Sequence, residues 1–164
     1  MKVHVLERTQ VLPIPIEQAW AFFSTPRNLA LITPPELGLR IREPFDDRPA
    51  HDGQLIRYTV RPLLGIPLPW LTRIERVSAP GHFADTQLRG PYARWYHEHR
   101  FETDPAGTRM HDRVEYALPL GPLGDLMHRL VVRRRLERIF EFRRHVLEGL
   151  FPAPQARHPH TAAA

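Results

Sequence analysis

The sequence predicts an α+β domain in which a curved, seven-stranded antiparallel sheet wraps a long C-terminal helix, with two short helices after the first strand. Three observations carry this. From Phe83 to Leu118 there are three stretches of alternating polarity, joined by turns at Arg89-Gly90-Pro91 and Asp104-Pro105-Ala106-Gly107. A helical pattern follows at once, from Pro122 to Leu150. All connections after the helix pair are short, which suits antiparallel neighbours. A meander that feeds a long helix can curl around it and leave a cavity between the two.

The elements follow in order. Val3 to Leu12 alternates as a strand and ends at Pro13 and Pro15. Ile16 to Phe23 reads as a helix: Pro15 suits its start, Glu17 complements its positive end, and Ile16, Trp20 and Phe23 fall at helical spacing. Thr25-Pro26 signals a second helix, with Thr25 as N-cap, running through Leu29 and Ile32 to Pro34-Pro35. Gly38 to Glu43 reads as a short strand, and Pro44 to Gly53 as a polar loop. Gln54 to Arg61 alternates Ile56, Tyr58 and Val60 against Leu55, Arg57 and Thr59. After a turn-rich Leu63 to Pro69, Trp70 to Val77 alternates again. The meander comes next. Pro122 and Asp125 then open a helix of about 28 residues, or about 42 Å, with Leu123, Leu126, Met127 and Leu130 as an apolar stripe. Val132, Leu136, Ile139, Phe140, Leu147 and Leu150 continue the stripe with some drift. Pro152 and Pro154 stop it. The expected organisation is one domain over 1–151 and a disordered tail over 152–164.

Composition excludes several function classes. The 164 residues can bury a real core. There are no cysteines, hence no disulfide, thiolate nucleophile or Cys-type zinc site. No apolar run approaches the roughly 18 residues of a membrane span, and the N-terminus lacks a signal-peptide core. The expected location is therefore the cytoplasm. The net charge of +5 comes almost wholly from arginine, since Lys2 is the only lysine. That bias suits a GC-rich genome. Acids are interleaved with the arginines, as in Arg73-Ile74-Glu75-Arg76, and no aromatic-basic sheet face is evident, so a nucleic-acid partner is not expected. A homodimer is compatible with the sequence, but no interface is legible in it.

The order of elements is similar to the helix-grip fold of the START and pollen-allergen-like superfamily, also called SRPBCC. Glu7 to Phe23 resembles that family's first strand and first helix, through Pro15, Ala19-Trp20 and Phe22-Phe23. Asn28-Leu29-Ala30-Leu31-Ile32-Thr33-Pro34 resembles its second helix. Phe83 to Leu88, followed by Arg89-Gly90-Pro91-Tyr92, Trp95, His97, His99 and Phe101, resembles a bacterial branch known only as ligand-binding or uncharacterised. The resemblance covers about residues 3 to 151. It implies a cavity between sheet and helix. It does not imply one function, because the superfamily includes lipid carriers, hormone receptors, polyketide cyclases and small-molecule hydrolases.

Strand pairing predicts which polar residues face inward. If Thr103 pairs with Thr108 across the second turn, Phe101 faces Met110, His99 faces Asp112, His97 faces Val114, and Trp95 faces Tyr116. That face is apolar or aromatic apart from His97, His99 and Asp112. The opposite face carries Arg94, Glu98, Arg100, Arg109, Arg113 and Glu115, which suits solvent. Phe83, Asp85 and Gln87 share the inward alternation. Three readings follow for the buried polar set. It could be a His99–Asp112 pair that merely specifies the sheet. It could converge on a ligand. It could be an acid–base pair, with His99 and Asp112 as catalytic candidates in a cyclase- or dehydratase-like enzyme. An interaction protein with a filled core is a further alternative.

The leading expectation is a carrier or sensor for a small hydrophobic or aromatic molecule. Tyr58, Trp70, Trp95, Tyr116 and Phe140 would supply surface, while Asp85, Gln87, His97, His99 and Asp112 would orient the ligand. The mouth would lie near Leu63 to Pro69 and Pro44 to Gly53. His97, His99 and Asp112 could form a facial metal site, but the resemblance argues against a metal, and no metal or other cofactor is expected. The arginines of the last helix read as solvated partners of Glu137, Glu141 and Glu148, with Arg134 or Arg143 able to reach the cavity mouth and hold an anionic group.

Overall fold

A computed structural model describes residues 2–62 and 65–153. Leu63 and Leu64 of the predicted rim, and the tail from residue 154, lie outside the described residues. The chain forms β1 (His4–Leu12), α1 (Ile16–Phe23), two 3₁₀ turns (Pro26–Ala30 and Pro35–Leu37), β2 (Arg40–Ile41), β3 (Leu55–Val60), β4 (Leu68–Ser78), β5 (His82–Arg89), β6 (Arg94–Asp104) and β7 (Gly107–Ala117). A final helical run comprises α2 (Pro122–Met127), a π turn (His128–Val132) and α3 (Arg133–Leu150). The sheet is antiparallel, in the order β1-β7-β6-β5-β4-β3-β2. No helix among the described residues is long and apolar enough to cross a membrane.

The predicted register of the meander is the observed one. Thr103 pairs with Thr108, Phe101 with Met110, His99 with Asp112, His97 with Val114 and Trp95 with Tyr116. The inward face is buried, Val114 and Asp112 almost completely. One residue of the outer face departs from expectation. Glu98 is only 8% exposed, because His82 Nε2 at 2.9 Å and Arg100 at 3.0 Å cover its carboxylate. Two partners satisfy the charge there in place of water.

Two predicted elements are shorter than the sequence suggested. The second helix is a pair of single 3₁₀ turns. Thr25 does not cap it; its hydroxyl donates back to Ala21 O at 2.8 Å. Asn28 donates to Phe22 O and Thr33 to Leu29 O. These side chains offer the backbone alternative bonds, and prolines bound both turns. The strand over Gly38 to Glu43 contracts to Arg40–Ile41, since Gly38 is left-handed at φ 51° and ends the preceding turn.

The C-terminal helix corrects the predicted stripe. Leu123, Leu126 and Leu130 are exposed, as is Leu150. The residues facing the sheet are Gly124, His128, Leu136, Phe140, Arg143 and Leu147. A π turn carries more residues per turn than an α-helix. It therefore keeps residues four apart in line, and the buried seam steps from Gly124 to His128 and on to Leu136. Gly124 is required on that seam: a Cβ there would meet the Pro119 carbonyl oxygen.

Two apolar clusters result. One joins α1, Ile32 between the 3₁₀ turns, and Leu147 to β1 and strands β3 to β7. The other joins Leu6, Val114 and Tyr116 to Leu136 and Phe140. The cavity lies where the two meet.

Candidate functional site

The cavity encloses about 190 Å³ and is mostly apolar. Ile56, Tyr58 and Val60 of β3 form one wall with Trp70 and Ile74 of β4. Phe22, Phe23, Leu29 and Ile32 close it from the helical side, and Leu136, Ile139 and Phe140 roof it. Ala50 of the predicted rim over Pro44 to Gly53 lines it, with Gln54 just beyond; of the rim over Leu63 to Pro69 no described residue belongs to the lining, which reaches Pro62 beside it. The aromatic wall is ordered by contact. Tyr58 stacks on Trp70 at 5.6 Å between centroids, and Trp95 meets Trp70 edge-on at 5.2 Å. Thr72 bonds both the Tyr58 hydroxyl and the Trp70 indole N–H, each at 3.0 Å. Burial, then the Asp85 carboxylate, pushes the Tyr58 hydroxyl well above its ordinary range, so it stays neutral.

One wall is charged. Strand alternation delivers Asp85 from β5, His97 and His99 from β6, and Asp112 from β7, while the seam of α3 delivers Arg143. Asp112 sits at the centre of this group. His97 Nε2 lies 3.1 Å and His99 Nδ1 2.8 Å from the same oxygen, Asp112 Oδ1. Arg143 Nη1 donates to Asp112 Oδ2 at 3.3 Å. The His97 contact is a directed hydrogen bond, whereas the His99 contact is close but off the N–H direction. Because an ionised carboxylate only accepts, His97 carries a proton on Nε2. On the cavity side, Asp85 Oδ2 lies 3.4 Å from His97 Nδ1 and 3.5 Å from His99 Nε2.

Charge and burial compete here. Burial alone would raise the Asp112 carboxyl; Arg143, then His97 and His99, reverse this and hold it well below the carboxylate range. Burial likewise opposes ionisation of Asp85, and the two imidazoles overcome it and lower the group. Burial would lower His97, but Asp112 and Asp85 outweigh it and raise the imidazole. With neutral imidazoles, two carboxylates and one guanidinium leave a net charge of −1, which a proton on His97 cancels.

Among the residues singled out from sequence, Tyr58, Trp70, Asp85, Trp95, His97, His99 and Phe140 line the cavity. Asp112 lies behind the two imidazoles and is not in the lining. Gln87 is spent locally: it donates to Tyr92 O at 2.7 Å and holds the β5–β6 turn. Tyr116 turns to the far end of the sheet, where its hydroxyl meets His128 Nε2 at 2.9 Å. Arg143 does reach the cavity, whereas Arg134 is exposed on the outer surface. Gln54, Ser24 and Tyr92 were not anticipated. Ser24 Oγ and Gln54 Oε1 are buried without a hydrogen-bond partner and belong to the lining. Only the polar character of Gln54 at a strand edge could have signalled this.

No family model matches this sequence, and no curated protein matches it. Solved structures do. The ZhuI aromatase/cyclase of Streptomyces sp. R1128 is 20% identical, with a TM-score of 0.69 over 91% of this chain and 93% of that one. A START superfamily protein from Mycobacterium smegmatis is 15% identical, with a TM-score of 0.64 over 90% and 97%. Ara h 8.0201 is 16% identical, with a TM-score of 0.60 over 90% and 99%. The chain thus has a START/SRPBCC-like fold: a seven-stranded antiparallel sheet gripping a long C-terminal helix.

Proposed function

We propose that this protein binds a small, largely aromatic molecule between the sheet and α3, as a carrier or sensor, with a polar group of the ligand directed at His97, His99 and Asp85. The observation that supports this best is an apolar, aromatic cavity with one charged wall. Such a division sets shape with one part of the lining and orientation with the other. The volume limits the ligand. An apolar cavity of about 150 Å³ takes up benzene, so 190 Å³ suits one substituted ring. Ser24 Oγ and Gln54 Oε1 offer unpaired polar atoms to a second substituent.

A second reading is an acid–base enzyme of the cyclase or dehydratase kind. The likeness to an aromatase/cyclase supports it, as does an imidazole set between two carboxylates. The cavity size disfavours a multi-ring polyketide substrate. In this reading His99 faces the substrate, and Asp112 is a positioning residue behind it.

Native mass spectrometry of gently purified protein, followed by identification of anything released on denaturation, tests the proposal. A stoichiometric small aromatic molecule supports it. A bare chain that also fails to take up single-ring aromatic acids or phenols sinks it. Turnover of the bound molecule that His99→Gln abolishes, with binding kept, replaces the carrier by the enzyme.

A further inference from the structure

The cavity-side atoms of the charged wall are arranged as metal ligands. One ring nitrogen of His97, one of His99 and an Asp85 carboxylate oxygen lie within 4.8 Å of one another. His97 Nδ1 and His99 Nε2 stand 3.4 and 3.5 Å from Asp85 Oδ2. Both distances exceed the roughly 2.7–3.2 Å of an N–H···O hydrogen bond. They match the separation of roughly 3.4 Å between ligands held at about 2.0–2.1 Å around a tetrahedral ion.

The opposite nitrogens complete the pattern. His97 Nε2 and His99 Nδ1 both turn away from the cavity towards Asp112 Oδ1, at 3.1 and 2.8 Å. The directed bond to Asp112 places a proton on His97 Nε2, so a neutral His97 presents its inner nitrogen as a lone pair, and His99 Nδ1 lies beside the same carboxylate oxygen. The inner nitrogens then face one carboxylate oxygen, and the positive charge that this grouping calls for is either a proton on an imidazole or a metal ion between the three atoms. A carboxylate behind a ligating histidine is the usual means of fixing its tautomer and orientation at a metal. Here one carboxylate serves both rings, and Arg143 in turn holds that carboxylate. The ligand set differs from the one the sequence suggested: Asp85 takes the front position and Asp112 the rear.

We propose that Asp85, His97 and His99 bind a divalent first-row transition ion with its open coordination positions facing the cavity. The donors are two imidazoles and one carboxylate, with no cysteine in the chain, which selects zinc- or iron(II)-class ions over calcium or magnesium. All three residues line the cavity and Asp112 does not, so the open side faces the space a ligand would occupy. An oxygen of that ligand could then complete the coordination. The site itself stands on the geometry of these side chains, whatever the cavity holds.

The test uses full-length protein, stripped with chelator and titrated with Zn²⁺ against a chromophoric competitor, with Co²⁺ absorption reporting the ligand field. Wild type should bind one equivalent and give the intense visible bands of a low-coordinate Co²⁺ site. Asp85→Asn keeps size and shape and should weaken binding at least about 10-fold, with thermal unfolding of the chelated protein still cooperative. His99→Gln should do the same. Asp112→Asn should weaken binding about 10–100-fold through the rings it orients. Absence of stoichiometric binding by wild type overturns the proposal. So does equal affinity in a folded Asp85→Asn variant, which would place the metal on other histidines.

Discussion

Arg143 is the residue whose removal tests the electrostatics of the core most directly. It is 7% exposed, donates to Asp112 and lies 5.0 Å from the Phe140 ring centroid. Arg143→Met keeps an unbranched chain against Phe140 and deletes only the charge and its donors. It leaves Asp112, 1% exposed, without its cation. Breaking a buried pair from one side costs about 3–5 kcal/mol, which for a chain of this length lowers Tm by about 10–15 °C. Urea unfolding in chelator at pH 7 measures it, with an unchanged m-value confirming that stability moved and compactness did not.

The pH dependence adds a second criterion. Asp112 titrates below its ordinary range in the folded protein, where Arg143 and then the imidazoles overcome the opposing effect of burial. Such a group adds stability above its unfolded pKa of about 4 and loses it as pH falls through the lower, folded value. Without Arg143 the folded value rises and that contribution shrinks. The unfolded value is common to both proteins, so the gap between wild type and variant is widest above the variant's folded value and narrows as pH falls from there towards the lower wild-type value. Adding Asp112→Asn to the variant should recover part of the loss, since one uncompensated charge is then gone. A loss under about 1 kcal/mol, or a gap that widens as the solution is acidified, would refute the argument.

Three further outcomes are expected. Gly124→Ala should lower stability by about 1–3 kcal/mol through overpacking, despite the gain of roughly 1 kcal/mol in helix propensity, because its Cβ meets the Pro119 carbonyl and lies 3.2 Å from the Leu118 side chain; a raised Tm would disprove the close approach. His128 is held below its ordinary value by burial, then by His4, Arg133 and Lys2, with Asp125 opposing, and Tyr116 bonds its Nε2. It therefore stabilises the fold above about pH 6.5 and loses that contribution as pH falls through its lower folded value; Tm should decline from pH 7 to 5, and His128→Asn should flatten that decline. Ile56→Trp, placed on the β3 wall, should fill the cavity and cut uptake of single-ring aromatics at least about 10-fold while the fold persists; undiminished uptake would move the binding site elsewhere.

Legibility differed between strands and helix for a physical reason. Period-two alternation is rigid, so one well-placed turn at Asp104 to Gly107 determined every pair between β6 and β7. Asp85, His97, His99 and Asp112 could therefore be assigned to one face. Alternation does not say which nitrogen of a ring points outward, or that Asp112 lies behind the histidines and Asp85 in front. Those depend on rotamers and on the sheet's curvature. Gln87 shares the face, yet its amide is taken by the backbone of its own turn. On the helix, the 3.6-residue period misleads because the π turn at His128–Val132 shifts the phase. Leucines that count as core under a uniform period are exposed, and the cationic Arg143 falls on the buried seam.

The charged wall has no rationale in stability alone. Buried ion pairs are often matched or surpassed by apolar packing of the same volume, and the surrounding positions already carry Val114, Met110, Phe83 and Phe140. Branched aliphatics at 85, 97, 99 and 112 would complete that core without desolvating a charge. The charges also do not close on themselves. Asp112 accepts from His97 and Arg143, with His99 Nδ1 beside it, whereas Asp85 faces the cavity. Asp85 stands 3.4 and 3.5 Å from the ring nitrogens, where Asp112 stands 3.1 and 2.8 Å from theirs. The arrangement thus has a rear half, Asp112 and Arg143, that holds the imidazoles, and a front half, Asp85, that faces the cavity, and the proposed binding site rests on that division.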